Sequence, residues 1–573
     1  MSHPDSLTQR LNRFNDEAAA APANIWIDRS AVAAGADAGP LAGLLAAVKD
    51  NIDVAGFPTT AACPPFAYQP TRSATVVERL LAAGATVVGK TNLDQFACGL
   101  VGTRSPFGAV QNAFQPAYVS GGSSSGSAVA VALGLVDISF GTDTAGSGRV
   151  PAGLNNIVGL KPSRGLMSTR GVVPASQHID CVSIFAHTVP QAIEVLKAVA
   201  GHDPECPYSR PLALDPAAMP EAFRFGLPNA DQLEFFGDEL ARSAFDQAVA
   251  ALEGLSGTAS RIDYAPMLEA ATALYEDVWV ADRYASIREF FDTHPDDIDP
   301  TVRTIIGAGR KYVAADVFAA MARMGLLRQY ADGLWQHMDV LVVPTAPTAH
   351  TIAAVQADPI ARNRELGYYT NFVNLLDLAA IAVPASIRPD GLPFGITLIG
   401  PAGSELRLAD LAQRFHQQTG LTLGATGRPL PPAQPIPRVP GSTVKVAVVG
   451  AHLQGLPLNG QLLERGARLV STMKTAPVYR FYALAGTVPA KPGMVRVAEG
   501  GVAIEAEVWE VPMREYGSFV AGIPGPLGIG TIEMEDGSRV QGFLCEAAAL
   551  AGAEDISGFG GWRAYLRRPS VAA

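Results

Sequence analysis

Val119-Ser120-Gly121-Gly122-Ser123-Ser124-Ser125-Gly126-Ser127-Ala128 runs straight into the apolar stretch VAVALGL. Glycine supplies backbone freedom and serine supplies hydroxyls, so such a run ahead of a helix admits three readings. A phosphate cradle needs G-x-x-x-x-G-K-[ST], and no lysine follows these glycines. A nucleophile elbow fits better at first, because Gly122 to Gly126 matches G-x-S-x-G with Ser124 at its centre. An elbow grows from a central strand, however, and the preceding QNAFQPAYVS is polar and holds Pro116. It also needs a later Asp and His, and His178, His187, His350 and His416 stand in no distinctive setting. The third reading, a flexible linker, rarely leads into a helix rich in Ala and Val.

A second glycine-serine loop decides. Phe140 to Pro151 reads FGTDTAGSGRVP and places Ser147 twenty-four residues after Ser123. Upstream, LLAAVKDNIDVAG puts Lys49 at the end of an apolar strand. V-K-D-N, then G-G-S-S-S-G-S, then G-T-D-x-x-G-S-x-R-x-P, in this order and spacing, resemble the amidase signature family. The resemblance runs from the N-terminus nearly to a proline-rich stretch beginning at Pro429. It implies an α/β fold whose mixed β-sheet core is covered by helices. It also implies roles: Ser147 as nucleophile, Ser123 after a cis peptide bond as proton relay, and a neutral Lys49 as base. No histidine, metal or cofactor is required. A lysine with pKa ~10.4 is protonated at neutral pH, so Lys49 must be desolvated by the apolar strand that carries it. Thr144, Ala145 and Gly146 can turn backbone N–H groups toward one point as an oxyanion hole, with Ala145 standing where many relatives have glycine. Asp143 and Arg149 read as a buried pair bracing this loop.

Helical and strand patterns alternate through this part. TVVERLLAAG precedes ATVVGKT, and DVLVVPTAP, IAVPAS and FGITLIG read as short buried strands before the helix ELRLADLAQRFHQQTG. From about 265 to 336 the pattern is helical throughout and predicts two long amphipathic helices broken at HPDDIDP. TNLDQFACGLVGTRSPFG resembles the corresponding stretch of allophanate hydrolases. LYEDVWVADRY carries Tyr275 and Arg283 at the positions where that family binds its substrate. Allophanate is a urea bearing a carboxylate, and a fixed guanidinium with a phenol hydroxyl suits such a ligand. Two alternatives remain open: a general amidase of the same signature family, and a glutamine-amidase subunit of a tRNA amidotransferase.

PLPPAQPIPRVP, from Pro429 to Pro440, places six prolines in twelve residues and reads as an extended spacer. The expected organisation is therefore an amidase signature domain over 1–428, a linker over 429–442 and a C-terminal domain over 443–573. VKVAVVG, VYRFYALAG, VAIEAEVWEV and a hairpin at Asp536-Gly537 predict a small β-rich α+β domain. VAVVGAHLQGLPLN resembles the γ-glutamylcyclotransferase-like domain that follows the amidase part of allophanate hydrolases. SFVAGIPGPLG lacks the carboxylate of the cyclotransferases, and His452 lies in the loop where that fold keeps its pocket.

With 573 residues, 48% hydrophobic and 17% charged, the chain is globular and large enough for roughly two to four domains. A net charge of −11 argues against a nucleic-acid or anionic-membrane partner. The five cysteines form no C-x-x-C pair, which gives no zinc signature and favours a reducing, cytoplasmic setting. No apolar stretch is long enough to span a bilayer. The resemblance further implies a homodimer formed through the amidase domain.

Overall fold

The computed structural model describes residues 6–215, 218–436 and 443–568. The chain divides into two compact units, Met1–Ala213 with Glu221–Pro437 and Leu214–Pro220 with Arg438–Ala573.

The first unit begins with β1 (Trp26–Asp28), β2 (Leu45–Lys49), β3 (Thr86–Thr91), β4 (Ile138–Asp143), β5 (Val158–Lys161) and β6 (Cys181–Ala186). It continues with β7 (Phe223–Pro228), β8 (Gly257–Ile262), β9 (Val340–Pro344), β10 (Leu378–Ile387) and β11 (Pro393–Pro401). These form one eleven-stranded sheet in the order β1-β3-β2-β4-β6-β5-β10-β11-β9-β7-β8. β3, β2 and β4 run parallel, as do β9, β7 and β8, while the strands between β4 and β9 pair antiparallel. The mixed sheet expected from the sequence is therefore present. Every residue of β2, β4 and β9 is buried, as in strands covered on both faces by helices.

Helix Ser125–Ala132 is small or apolar all round, and all eight of its residues are buried where it packs on β4 and β2. Gly126 lets the helix start close against the segment before β1, because a Cβ there would stand 2.2 Å from the carbonyl oxygen of Ile25.

The insertion differs from the two long helices predicted. It consists of helices Ala265–Glu276, Trp279–Ser286, Arg288–Thr293 and Pro300–Gly307, and only Ala314–Leu334 is long. Asp277 and Ile287 leave helical backbone angles between the short pieces. In HPDDIDP, Asp299 accepts from the N–H groups of Thr301 and Val302 and so starts a new helix. The periodicity looked continuous because successive short helices turn their apolar sides to shared cores.

The first half of the proline-rich stretch is a strap rather than a free spacer. The carbonyls of Pro431 and Gln434 accept from Gln417 and Gln413 of helix Glu405–Gln418. Residues 437–442 of the expected linker lie outside the described residues.

In the second unit the strands are β12 (Thr443–Val448), β13 (Arg468–Lys474), β14 (Tyr479–Ala483) and β15 (Pro492–Arg496). They are followed by β16 (Glu505–Pro512), β17 (Leu527–Glu533), β18 (Arg539–Cys545) and β19 (Glu554–Asp555). One sheet has the order β13-β16-β12-β18-β17 and another the order β15-β14-β19. β17 and β18 close the predicted hairpin, with Gly537 at φ 81° in its turn. Val446, Val448, Trp509, Ile532 and Phe543 belong to one core. Among the described residues no helix is long and apolar enough to cross a membrane.

Two glycines in helices should respond oppositely to alanine. Gly126→Ala forces a methyl against backbone and should cost about 1–3 kcal/mol of stability. Gly325→Ala, in helix Ala314–Leu334 with nothing within 4 Å of the new methyl, should add about 0.4–1 kcal/mol. Denaturant unfolding of both variants beside the parent chain checks the contrast.

Candidate active site

Lys49 closes β2, and the next strand in the sheet, β4, runs parallel beside it. The pairing of Val48 with Phe140 brings the lysine alongside Thr142, two residues further along β4. Lys49 Nζ lies 2.7 Å from Thr142 Oγ1 and 2.7 Å from Ser123 Oγ. Ser123 Oγ lies 3.0 Å from Ser147 Oγ, so the three predicted residues form one hydrogen-bonded row. The Gly122–Ser123 peptide bond is cis. Lys49 and Ser123 are fully buried, and Ser147 is 2% exposed. The row sits beyond the carboxyl ends of β2 and β4, the usual place for a site in a sheet with parallel neighbours.

Ser124, the centre of the elbow pattern, does other work. Its hydroxyl donates to the Thr142 carbonyl and accepts from the Thr142 N–H, which ties the start of the helix to β4. None of the four histidines singled out in the sequence bonds to either serine. His178 pairs with Asp282 and His350 with Glu365, and burial holds His187 and His416 down at about 4.

The loop after β4 is held by the expected pair. Arg149 donates to both Asp143 oxygens at 2.9 Å, and both residues are fully buried. Burial alone would raise the Asp143 pKa; the guanidinium outweighs it and keeps the carboxylate charged. Among the described residues, the N–H groups of Thr144, Ala145, Gly146 and Ser147 bond to no protein acceptor. Gly146 has φ 137°, and a Cβ there would stand 2.4 Å from Thr370 Oγ1, so the turn requires glycine. A nucleophile beside a file of free N–H groups can attack a carbonyl and stabilise the oxyanion that results.

Burial lowers the Lys49 pKa from 10.5 to about 7, against the pull of Asp94, Asp180 and Asp143 in that order. The sign for stability follows. An amine neutral when folded and charged when unfolded costs stability increasingly as pH falls from 10.5 to about 7, and the cost is complete below that. A neutral amine keeps two N–H bonds and one lone pair. Thr142 Oγ1 can take one N–H and leave the lone pair for the Ser123 hydroxyl.

Sequence reasoning missed Thr142, Asp94 and Asp180. Asp94 accepts from the N–H groups of Val101, Gly102 and Arg104 and thereby shapes the TNLDQF loop. Asp180 precedes β6, whose Cys181 pairs with Asp143, so register sets it across from Thr144. There it accepts from the Thr144 hydroxyl and from the Ala175 and Ser176 N–H groups, and burial raises it to about 6. Only the strand pairing reveals this position.

Arg283 comes from helix Trp279–Ser286 and is 2% exposed. Its guanidinium lies over the Tyr275 ring at 5.0 Å, and none of its three side-chain nitrogens has a hydrogen-bond partner among the described residues. A surface ion pair, the ordinary role for a helical arginine, is therefore not what it makes. Its charge reaches Asp180, which holds Thr144, and Cys98, whose neighbour Gly99 accepts from Ser147 Oγ at 3.4 Å. A buried guanidinium with every donor open is able to take an anion.

In the second unit, His452 follows β12 and lines a cavity of roughly 230 Å³. Its ring stacks on Phe543 at 5.0 Å, and Nε2 bonds Gln461 Oε1 at 3.0 Å. Burial lowers its pKa, so the ring is neutral at pH 7. Among the described residues no group of three or more His, Cys, Asp or Glu side chains could hold a metal ion.

The family model described as Amidase matches residues 4–409, and that described as Allophanate hydrolase C-terminal domain matches residues 444–567. Urea amidolyase of Saccharomyces cerevisiae is 46% identical over 545 residues, 92% of this chain. The chain spans only 30% of that relative's length. A glutamyl-tRNA(Gln) amidotransferase chain from a Synechococcus species is 34% identical, covering 70% of this chain and 88% of that one. A solved structure of Kluyveromyces lactis allophanate hydrolase superposes with a TM-score of 0.88 at 42% identity, covering 98% of this chain and 97% of that chain.

The lowered Lys49 pKa fixes a pH dependence. Amide hydrolysis should rise with pH through about 7 as the lysine loses its proton. Lys49→Arg should be inactive across the range, because a guanidinium does not deprotonate there. Asp180→Asn removes a charge that favours the ammonium and should move the midpoint to lower pH. Initial rates of ammonia release from about pH 5.5 to 9 check all three, and an active Lys49→Arg enzyme would contradict the neutral base.

Proposed function

Because this chain belongs to the amidase family and carries the allophanate hydrolase C-terminal domain, we propose that it hydrolyses the terminal amide of allophanate. The observation that carries the reading is Arg283, buried with three open nitrogens in the unit that holds the Lys49–Ser123–Ser147 row. A neutral amide presents no carboxylate to such a group and glutamine carries its carboxylate far from its amide, whereas allophanate sets it one nitrogen away.

Ser147 Oγ attacks the amide carbonyl while its proton passes to Ser123, whose own proton passes to the Lys49 lone pair. The N–H groups of Thr144 to Gly146 receive the developing oxyanion. Lys49 returns the proton to the departing nitrogen and ammonia leaves, with the acyl group on Ser147. Water attacks this ester by the same relay and releases an N-carboxylated carbamate. Arg283, flanked by Tyr275, holds the substrate carboxylate throughout and so aligns the amide with Ser147. The second unit then promotes loss of carbon dioxide from the released product, with His452 in its cavity. The overall products are ammonia and carbon dioxide.

Free, buried cysteines (Cys63, Cys98, Cys181, Cys206 and Cys545) support a cytoplasmic setting. Exposed Val313, Phe318, Met321 and Leu326, on and beside helix Ala314–Leu334, support a homodimer through the amidase unit.

Substrate choice tests the reading. Ammonia release from allophanate, malonamate and glutamine should favour the two amides whose carboxylate lies one atom from the amide carbonyl over glutamine. Arg283→Gln should lose ~2–5 kcal/mol of transition-state stabilisation on allophanate and far less on an uncharged amide. Equal losses on charged and uncharged substrates would make Arg283 structural and remove the basis for allophanate.

A further inference from the structure

The cavity of the second unit is walled by apolar groups, among them Phe519 and Phe543, and carries a single cationic side chain, Lys491. Among the described residues, His452 and Gln461 are the other long polar side chains on its wall, and no carboxylate lines it. Lys491 is held at the entrance to β15: its N–H donates to Thr487 Oγ1 at 2.9 Å and its carbonyl accepts from Leu484 at 3.1 Å. The next residue, Pro492, abuts the loop that carries His452, since a Cβ added at Gly450 would stand 2.5 Å from Pro492 Cδ. Among the described residues the Lys491 ammonium has no ion-pair partner, and its charge reaches the His452 ring, as does that of Arg465, which lies outside the lining over Phe519. An apolar cavity of this size with one open cation and two hydrogen-bonding side chains fits a small anion.

We propose that Lys491 is the carboxylate anchor of this cavity and that its ligand is a small dicarboxylate, the N-carboxylated carbamate released by the first unit. The inference rests on the functional reading above and adds to it the residue that selects and orients the second substrate. Lys491 holds the carboxylate that is retained. The other carboxylate then faces the aromatic wall, where a charge is poorly solvated and neutral carbon dioxide is not. The bond between nitrogen and that carboxylate carbon breaks, and its electron pair stays on nitrogen. Nitrogen takes a proton from water, carbon dioxide leaves, and carbamate remains on Lys491. The neutral His452 ring, donating Nε2–H to Gln461, keeps Nδ1 open to accept the substrate N–H and fix its orientation.

The test follows ammonia and carbon dioxide together in early turnover of full-length enzyme on carbon-13 allophanate, with the intermediate observed by NMR. The first ammonia should be prompt in parent, Lys491→Met, Lys491→Arg and His452→Ala chains, because Ser147 lies in the other unit. Lys491→Met should slow carbon dioxide release by roughly tenfold or more and let the intermediate accumulate, and Lys491→Arg should recover most of the rate. If His452→Ala lags while Lys491→Met matches the parent, the anchor is wrong and the functional reading of the second unit stands. Equal slowing of Lys491→Met and Lys491→Arg makes the residue a packing element and also overturns the anchor. Parent-like time courses in every variant overturn both the anchor and a role for the second unit in decarboxylation.

Discussion

One constraint organises the first unit: an amine must be kept out of water at the end of a buried strand with only hydroxyls to hold it. Lys49 meets Thr142 and Ser123, and the nearby carboxylates are engaged elsewhere. Asp143 is taken by Arg149, Asp94 by three backbone N–H groups, and Asp180 by Thr144 and the Ala175–Ser176 turn. Were any of them to pair directly with Lys49, the ammonium would be stabilised and the base lost. The parallel pairing of β2 and β4, the fully buried helix after Ser124 and the glycines that let it approach all serve that desolvation.

The anion sites proposed for the two units rest on the same physics. Among the described residues, buried Arg283 lies over the Tyr275 ring with no hydrogen-bond partner, and half-buried Lys491 lines an aromatic-walled cavity with no ion-pair partner. Arg283 presents a flat fork suited to a carboxylate that must stay in one orientation during attack. Lys491 offers a point charge that can retain a carboxylate as the rest of the molecule leaves. On the proposed reading the order of chemistry follows: the first unit would produce a dianion, and the second has a cation and an apolar wall suited to it.

Much of the hydrogen-bonded row was legible in the sequence because Lys49, Ser123 and Ser147 sit in short runs whose glycines and serines have few other uses. Ser124 showed the limit of a motif, since G-x-S-x-G fits the letters while the residue bonds to β4 on both sides. Thr142 falls inside the stretch read as a glycine-serine loop, although it belongs to β4, and Asp180 lies in no motif. Their roles depend on which strands are neighbours, and that is set by pairings across dozens of residues. β2, β3, β9, β10 and β11 were readable from local pattern, whereas the other strands and the sheet order, with β6 and β5 inserted beside β4, were not. The insertion misled because apolar spacing persists across breaks at Asp277 and Ile287 that carry no proline or glycine.

The proton relay stands or falls on the protonation state of Lys49. Lysine labelled with carbon-13 at Cε, assigned by comparison with Lys49→Met, lets its titration be followed directly by NMR in the resting enzyme. A relay ending on a neutral amine predicts a midpoint near 7, far below the 10.5 of a free lysine. A Lys49 signal that stays in the ammonium position up to about pH 10 would contradict a neutral base and the proton relay built on it.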